Sequence, residues 1–343
     1  MNKNNRTYKS INKQVFSIGD YSIAPIREED KYEIMQWRNE QMYHLRQQEL
    51  LTKDKQDNYF ENVVAKLFDE EKPNQLLFSY LQNDKCIGYG GLVYINWQQK
   101  TAELSFIMET KLEKDFFEKH WLTFIHLIEK VAFNELQLNA IFTYAYDLRP
   151  HLYPVLEKAD FVLQKVLSNE IIVDNQAIDV LIHQKERPDI LFRDANKNDV
   201  KLLFDWTNDD LVRQQSFNSD KIIYEEHQKW FTSKLQDKNT LFWIAQKDKN
   251  PIGLVRFNIQ NDYAVIGVSI DKNQRGKGYG GAILTQASQS FVNVFNLPIY
   301  AYIKQTNIAS IRSFEKAGYV FEKNEMINEV DSVLYIKRDI RII

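Results

Sequence analysis

Ala264-Val265-Ile266-Gly267-Val268-Ser269-Ile270, then Arg275-Gly276-Lys277-Gly278-Tyr279-Gly280-Gly281, then Ile283, Leu284, Ala287, Phe291 and Val294 at helical spacing: three consecutive segments read as strand, bare turn and helix. Four of the eleven glycines of the chain fall in that one turn. Glycine removes the Cβ that keeps a phosphate at a distance, so such a turn aims several backbone N–H groups at one anion, with the start of the helix behind them. Arg275 and Lys277 add positive charge to the same place.

Working outward, the landmarks around the turn occur twice in the same order. Trp37-Arg38-Asn39 is echoed by Trp206-Thr207-Asn208, Arg46-Gln47-Gln48 by Arg213-Gln214-Gln215, Ile87-Gly88 by Ile252-Gly253, and Glu157-Lys158-Ala159-Asp160-Phe161 by Glu315-Lys316-Ala317-Gly318-Tyr319. The polar segment from His183 to Asp189, with its proline, reads as the connection. Two domains are expected, 1–186 and 187–343. Each half runs from a short strand (21–26; 190–193) through amphipathic helices and a hairpin to a long helix, a strand (140–146; 299–304) and a short helix. That order implies an α/β or α+β sheet covered by helices.

The 343 residues suit two domains. The balance of 44% hydrophobic and 27% charged residues, with a net charge of −3, is that of a globular protein and gives no reason to expect nucleic acid or an anionic membrane as partner. The polar N-terminal stretch and the lack of a long apolar run predict neither signal peptide nor membrane span, and a cytoplasmic location. Cys86 is the one cysteine and the six histidines are scattered, so no disulfide and no metal site are expected.

Gly276-x-Gly278-x-x-Gly281 also fits the dinucleotide fingerprint. That reading needs an acidic residue at the end of the next strand, and Ile299–Lys304 offers none. A nucleoside-triphosphate loop needs Ser or Thr after Gly276-Lys277, where Gly278 stands. The pattern instead resembles the Gcn5-related N-acetyltransferases, which use acetyl-CoA. Their first signature lies on Arg275-x-x-Gly278-x-Gly280; their second, an asparagine followed by a short helix with Lys-x-Gly-aromatic, lies on Asn307 to Tyr319, with Lys316, Gly318 and Tyr319 in place. The resemblance implies two tandem folds of this family, each a mixed, mostly antiparallel sheet splayed into a V and covered by helices.

It also implies the cofactor contacts: main-chain groups of Arg275, Gly276, Lys277, Gly278, Tyr279 and Gly280 on the diphosphate, backbone groups of Val268 and Ile270 along the pantetheine and thioester, and Asn307, Ser310 and Lys316 from the second signature. Asn307 would bond the pantetheine near the sulfur, and as a helix N-cap it has a second use. An N–H on the strand would stabilise the oxyanion formed as an amine attacks.

The first half places Glu113-Lys114-Asp115-Phe116-Phe117-Glu118 at the level of the glycine turn, and Arg149-Pro150 at the level of Asn307. Carboxylates repel a diphosphate and rings cover the amides, so this copy is expected not to bind CoA. A structural role, a wall of the acceptor pocket and an independent activity stay open for it. Tyr94-Ile95-Asn96-Trp97 and Tyr144-Ala145-Tyr146 are suited to stacking or to a core.

Many relatives carry a glutamate on the strand before the loop and a tyrosine in the second signature; here Val265 and Phe314 stand there, while Glu103 of the first half holds the glutamate position. His227 is a candidate general base. Trp206, Asn208, Arg213, Ser216 and Asn218 resemble the acceptor side of acetyltransferases that modify nucleotide-linked amino sugars. The expected function is acetyl transfer from acetyl-CoA to the amine of such a sugar. Protein N-termini, an antibiotic amine, or acyl-CoA binding without catalysis are the alternatives. The oligomeric state is not legible.

Overall fold

The computed structural model describes residues 6–173 and 175–338. The chain divides into two compact units, Met1–Pro188 and Asp189–Ile343, two residues beyond the expected boundary.

Unit 1 runs β1 (Phe16–Ile18), β2 (Tyr21–Pro25), α1 (Lys31–Glu40), α2 (Lys53–Tyr59), α3 (Ala65–Leu67), β3 (Leu76–Gln82), β4 (Lys85–Asn96), β5 (Thr101–Met108), α4 (Thr110–Glu129), β6 (Ala140–Tyr146), α5 (Leu152–Lys158), β7 (Val162–Val173) and β8 (Gln176–Glu186). Unit 2 runs β9 (Leu191–Asp194), α6 (Val200–Thr207), α7 (Asp210–Gln215), α8 (Tyr224–Leu235), β10 (Thr240–Lys247), β11 (Asn250–Ile259), β12 (Ala264–Ile270), α9 (Tyr279–Phe295), β13 (Ile299–Lys304), α10 (Ile308–Lys316), β14 (Val320–Ile327) and β15 (Val330–Lys337).

Among the described residues each unit holds one sheet, in the orders β1-β2-β3-β4-β5-β6-β8-β7 and β9-β10-β11-β12-β13-β15-β14. The orders match once the extra edge strand β1 is set aside. The segment expected as the connection is mostly strand: β8 continues to Glu186 and pairs with β6, His183 opposite Thr143. Its polar composition misled because His183 turns inward and stacks on Tyr153, ring centroids 5.2 Å apart.

Every strand pairing is antiparallel except β5–β6 and β12–β13, and these two are brief. β5 meets β6 only from Thr101↔Ala140 to Glu103↔Phe142, and β12 meets β13 only at Ala264↔Ile299 and Val265↔Tyr300. Beyond those pairs the neighbours diverge, which is the V-shaped splay. The echoed glycines, Gly88 and Gly253, sit where the neighbouring strand passes close: a Cβ would lie 2.7 Å from the Ile107 carbonyl oxygen and 2.8 Å from that of Ser269.

Alternation along the strands divides the two faces. In unit 2, Val255 and Phe257 are buried beneath α9, where Phe257 stacks on Phe291 at 4.4 Å. Leu254 lies on the other face, against a cluster of Leu203, Trp206, Phe231, Phe242 and Ile244. In unit 1 the equivalent stack is Phe106 on Phe124 at 4.1 Å. Rings of this size bury roughly 150–250 Å² each, so they dominate the packing of both units. Among the described residues no helix is long and apolar enough to cross a membrane.

Candidate functional site

The site in unit 2 begins with the free edge of β12. Asp271 N–H bonds the Ile252 carbonyl at 3.0 Å, and Ile270 pairs with Gly253, Val268 with Val255. Because antiparallel ladders alternate, the N–H and C=O of Val268 and Ile270 then face away from β11, into the gap that β13 leaves open. The Ile270 carbonyl there accepts from Arg275 Nε at 3.1 Å.

The turn after β12 is held from below. Trp206 Nε1 donates to Asp271 at 2.8 Å, and the other oxygen of Asp271 caps the short turn at Asn273 N, also at 2.8 Å. Arg275 pairs with Asp209 at 2.8 Å, and Asp209 caps the start of α7. The Arg275 side chain is therefore a strut that fixes the loop, not the free positive charge expected from the sequence. Lys277, exposed, reaches only Gln274 at 3.0 Å.

Gly276 and Gly278 take φ of +75° and +83°, a left-handed backbone that strains any residue with a Cβ, and a Cβ at either position would meet nothing within 4 Å. Nothing within 4 Å lies over Gly281 either, and only Ser313 Oγ, at 3.9 Å, over Gly280. The Cβ directions of Gly276, Gly278 and Gly281 are open, and the first N–H groups of α9 have no partner within the helix. Glycine-rich backbone at the start of a 17-residue helix is suited in sign of charge to an anion.

Asn307 caps α10 by accepting from Ser310 N at 3.1 Å, beside the gap at the end of β13. Lys316 is exposed. The rest of the second signature has a packing reason: Gly318, at φ +82°, closes α10, and Tyr319 anchors it on α9 through a 2.7 Å hydroxyl contact with Ser288 and an edge-to-face contact with Phe314 at 4.9 Å. Phe314 itself is buried.

The structure places the acceptor-side candidates differently from the sequence reading. Trp206 is a core residue, 6% exposed, that supports the loop through Asp271. His227 is 2% exposed, stacked on Phe231 and packed against Phe204, and burial holds its pKa below the usual imidazole range. Its burial among these rings gives it a packing role, whereas a general base needs to reach the acceptor. Asn208 spends both ends of its amide on the backbone of Ile222, at 2.8 Å each. Arg213 turns onto Ser216 and the Asp220 carbonyl, Ser216 onto the Val212 carbonyl, and Asn218 onto Asp220 N. These four fold the segment 208–222 upon itself.

Two residues on the α6–α8 face of the sheet escaped the sequence reading. Arg256 pairs with Gly267 across β11 and β12, and its guanidinium lies 5.6 Å from the Trp230 ring centroid. Its Nε is buried without a hydrogen-bond partner, as is Ser269 Oγ, and burial alone lowers its pKa. Among the described residues no carboxylate pairs with it. A charged residue between the buried Val255 and Phe257 was the available signal.

In unit 1, α4 starts at Thr110, so the level of the glycine turn is helix, with non-helical angles only at Phe116. Arg149 pairs with Glu113 at 3.2 Å and lies over Phe117 and Trp121; Lys158 pairs with Glu118. Two of the three carboxylates expected to repel a diphosphate, Glu113 and Glu118, are therefore paired with cations, and the stretch is helical apart from the kink at Phe116. The cluster Asp30, Glu33 and Cys86 has three groups within 4.8 Å. Asp30 already holds Arg27 through two bonds of 2.7 Å, and the Cys86 thiol donates to the Gly88 carbonyl and is kept protonated by burial.

Comparison with known proteins identifies the family of both units. An acetyltransferase (GNAT) domain is matched twice, over residues 23–180 and 189–320. An uncharacterised protein of Methanocaldococcus jannaschii is 26% identical over 306 residues, 83% of this chain and 61% of that protein, so the chain spans under two thirds of the relative's length. Similar solved structures include a spermidine N-acetyltransferase of Vibrio cholerae with CoA and spermine (17% identity, TM-score 0.44, 49% of this chain and 96% of that one). Another is the aminoglycoside acetyltransferase AAC(6')-Ib with ribostamycin and CoA (18%, 0.41, 44% and 94%). With two such domains in tandem, the chain belongs to the GNAT acetyltransferases.

Proposed function

We propose that unit 2 transfers the acetyl group of acetyl-CoA to the amine of a small anionic acceptor, a nucleotide-linked amino sugar, and that unit 1 does not bind CoA. The observation that carries the donor half is the left-handed, unobstructed glycine backbone at Gly276 and Gly278 beside the free edge of β12. The diphosphate lies on this backbone, and Asn307 offers its amide to the pantetheine. The main-chain groups of Val268 and Ile270 align the thioester, and an N–H on that edge takes the charge that develops on its oxygen, an effect worth about 10² to 10³ in rate.

The amine nitrogen attacks the carbonyl carbon, the C–S bond breaks, and the proton lost by nitrogen leaves with the thiolate or with water. Transfer is direct: Cys86 is buried in unit 1 and protonated. With Val265 and Phe314 at the usual acid–base positions and His227 in the interior, the chain relies on orientation, which supplies up to about 7–11 kcal/mol in favourable cases. Such a site suits an amine of low basicity, already neutral at pH 7.

Arg256 supports the acceptor half of the reading. An unpaired guanidinium beside the acceptor face favours a carboxylate or phosphate on the incoming molecule and opposes a polycation. The test is release of free CoA from acetyl-CoA by the purified protein with nucleotide-linked amino sugars, spermidine, an aminoglycoside and peptide N-termini. Turnover of the sugars is expected; turnover of peptides or polycations alone overturns the acceptor. Val265 and Phe314 also favour a second reading, acyl-CoA binding without catalysis, which predicts that CoA binds but no amine releases it.

A further inference from the structure

Unit 1 contains a cavity of about 290 Å³, near the lower end of the size of small-molecule sites. It lies in the unit's own splay, where β5 and β6 part: Leu104 to Phe106 form one wall and Thr143 to Tyr146 the other. Its polar lining is specific to this unit. Arg38, Glu103 and Arg149 stand where unit 2 has Thr207, Val265 and Asn307, by the echoed sequence and the strand register.

The charges in the wall do not cancel. Arg46 pairs with Glu103 at 2.9 Å and lies over the rings of Tyr144 and Tyr94, 4.3 and 5.1 Å from their centroids. Arg149 is answered by Glu113. Arg38 bonds the Tyr89 hydroxyl and, at 3.1 Å, Gln47 Oε1, and among the described residues no carboxylate answers it. A guanidinium has five N–H donors, so it retains capacity for an anion. In the same wall His44 is 8% exposed, with Nε2 buried and unpartnered. At the rim, Tyr94 is 64% exposed and held at φ +49°, a backbone region that a bulky residue rarely adopts.

We infer that unit 1 is a binding module for a small molecule bearing a carboxylate or phosphate, held by Arg38 with its body against Tyr144 and Tyr146, and independent of CoA. The volume of about 290 Å³ suits a compact ligand. The inference does not rest on the function proposed for unit 2.

The probes are phenyl phosphate, phenylacetate and benzylamine, titrated calorimetrically into the full chain and into its Gly278→Asp variant, which removes any binding at the unit 2 glycine turn. The two anions are expected to bind both proteins alike, and benzylamine neither. Arg38→Gln should weaken the anions by about tenfold to a hundredfold, the loss of a charged hydrogen-bond partner. Arg38→Lys, which keeps the charge, should recover most of that. Crystals of the wild type soaked with phenyl phosphate should show it between Arg38 and Tyr144. The inference is overturned if no anion binds, if Arg38→Gln leaves binding unchanged, if Gly278→Asp abolishes it, or if benzylamine binds better than the anions.

Discussion

In unit 2, β12 ends at Ile270 and residues 271–278 intervene before α9; in unit 1, β5 ends at Met108 and α4 starts at Thr110. The strand order, the short parallel step and the glycine under a closely passing neighbour are the same in both. What differs is the use of the backbone at one level. In unit 1 the corresponding level is helical on both sides of a kink at Phe116, and a helical N–H is committed to a carbonyl one turn back. In unit 2 two left-handed glycines turn the corresponding groups outward. A sheet with this splay therefore does not by itself bind CoA; the turn decides. Unit 1, with Arg149 bonded to Glu113, carries a cavity lined by charged side chains that unit 2 lacks at the matching positions.

The comparison breaks first at Gly278. An aspartate there must adopt a left-handed backbone, costing about 1–2 kcal/mol, and its carboxylate faces the diphosphate. CoA affinity is expected to fall by about a hundredfold or more when both effects combine. The converse change, Asp115→Gly in unit 1, should create no CoA binding by calorimetry, because the surrounding helix remains. Binding gained by that one substitution would show that side chains, not the helix, close unit 1.

This contrast was partly legible in the sequence. Strand, bare turn and helix around Arg275 to Gly281 follow from composition and periodicity, as does the duplication. That residues 110–116 are helical did not: Glu113 to Glu118 reads as polar and aromatic, and only the register of β5 against β4 shows how soon the helix begins. The acceptor side was legible least. Trp206, Asn208 and Arg213 are polar or amphipathic residues whose partners, Asp271, the Ile222 backbone and Asp220, are set by loop folding that no local pattern reveals. Arg256 was visible as a charge inside an apolar strand, but its lack of a partner is a fact of three dimensions.

A smaller effect sharpens the acceptor half. Arg256→Gln is expected to lower kcat/KM for an anionic acceptor by about tenfold to a hundredfold while leaving the KM for acetyl-CoA within about twofold of wild type, since Arg256 does not touch the donor loop. An equal loss with a neutral amine would remove Arg256 from acceptor recognition.

Trp206→Phe tests the support of the loop. The side chain stays aromatic though smaller, and the bond to Asp271 is lost, worth about 0.5–1.5 kcal/mol. The expected result is a KM for acetyl-CoA raised a few fold with kcat little changed; an acceptor-specific effect would return Trp206 to the acceptor site.

The mildest contrast is in acid. Burial, reinforced by the charge of Arg149, holds His44 at a pKa of about 3; burial, with Lys119 adding to it, holds His120 at about 4. Both titrate near 6.5 when unfolded. The unfolded chain therefore binds more protons below that value, so the stability these residues give unit 1 is complete above pH 6.5 and is lost as pH falls toward 4 and then 3. In unit 2 only His227, among the described histidines, is lowered in this way. Hydrogen exchange on the whole chain at pH 7 and pH 5 should show unit 1 losing more protection than unit 2; the reverse order would contradict this assignment.

The most direct test of the account is a crystal structure of the full chain soaked with CoA. The account predicts the diphosphate on the amides of Gly276 to Gly281, the pantetheine between β12 and β13 beside Asn307, and no CoA in unit 1. CoA seated in the splay of unit 1, or bound nowhere, would contradict it.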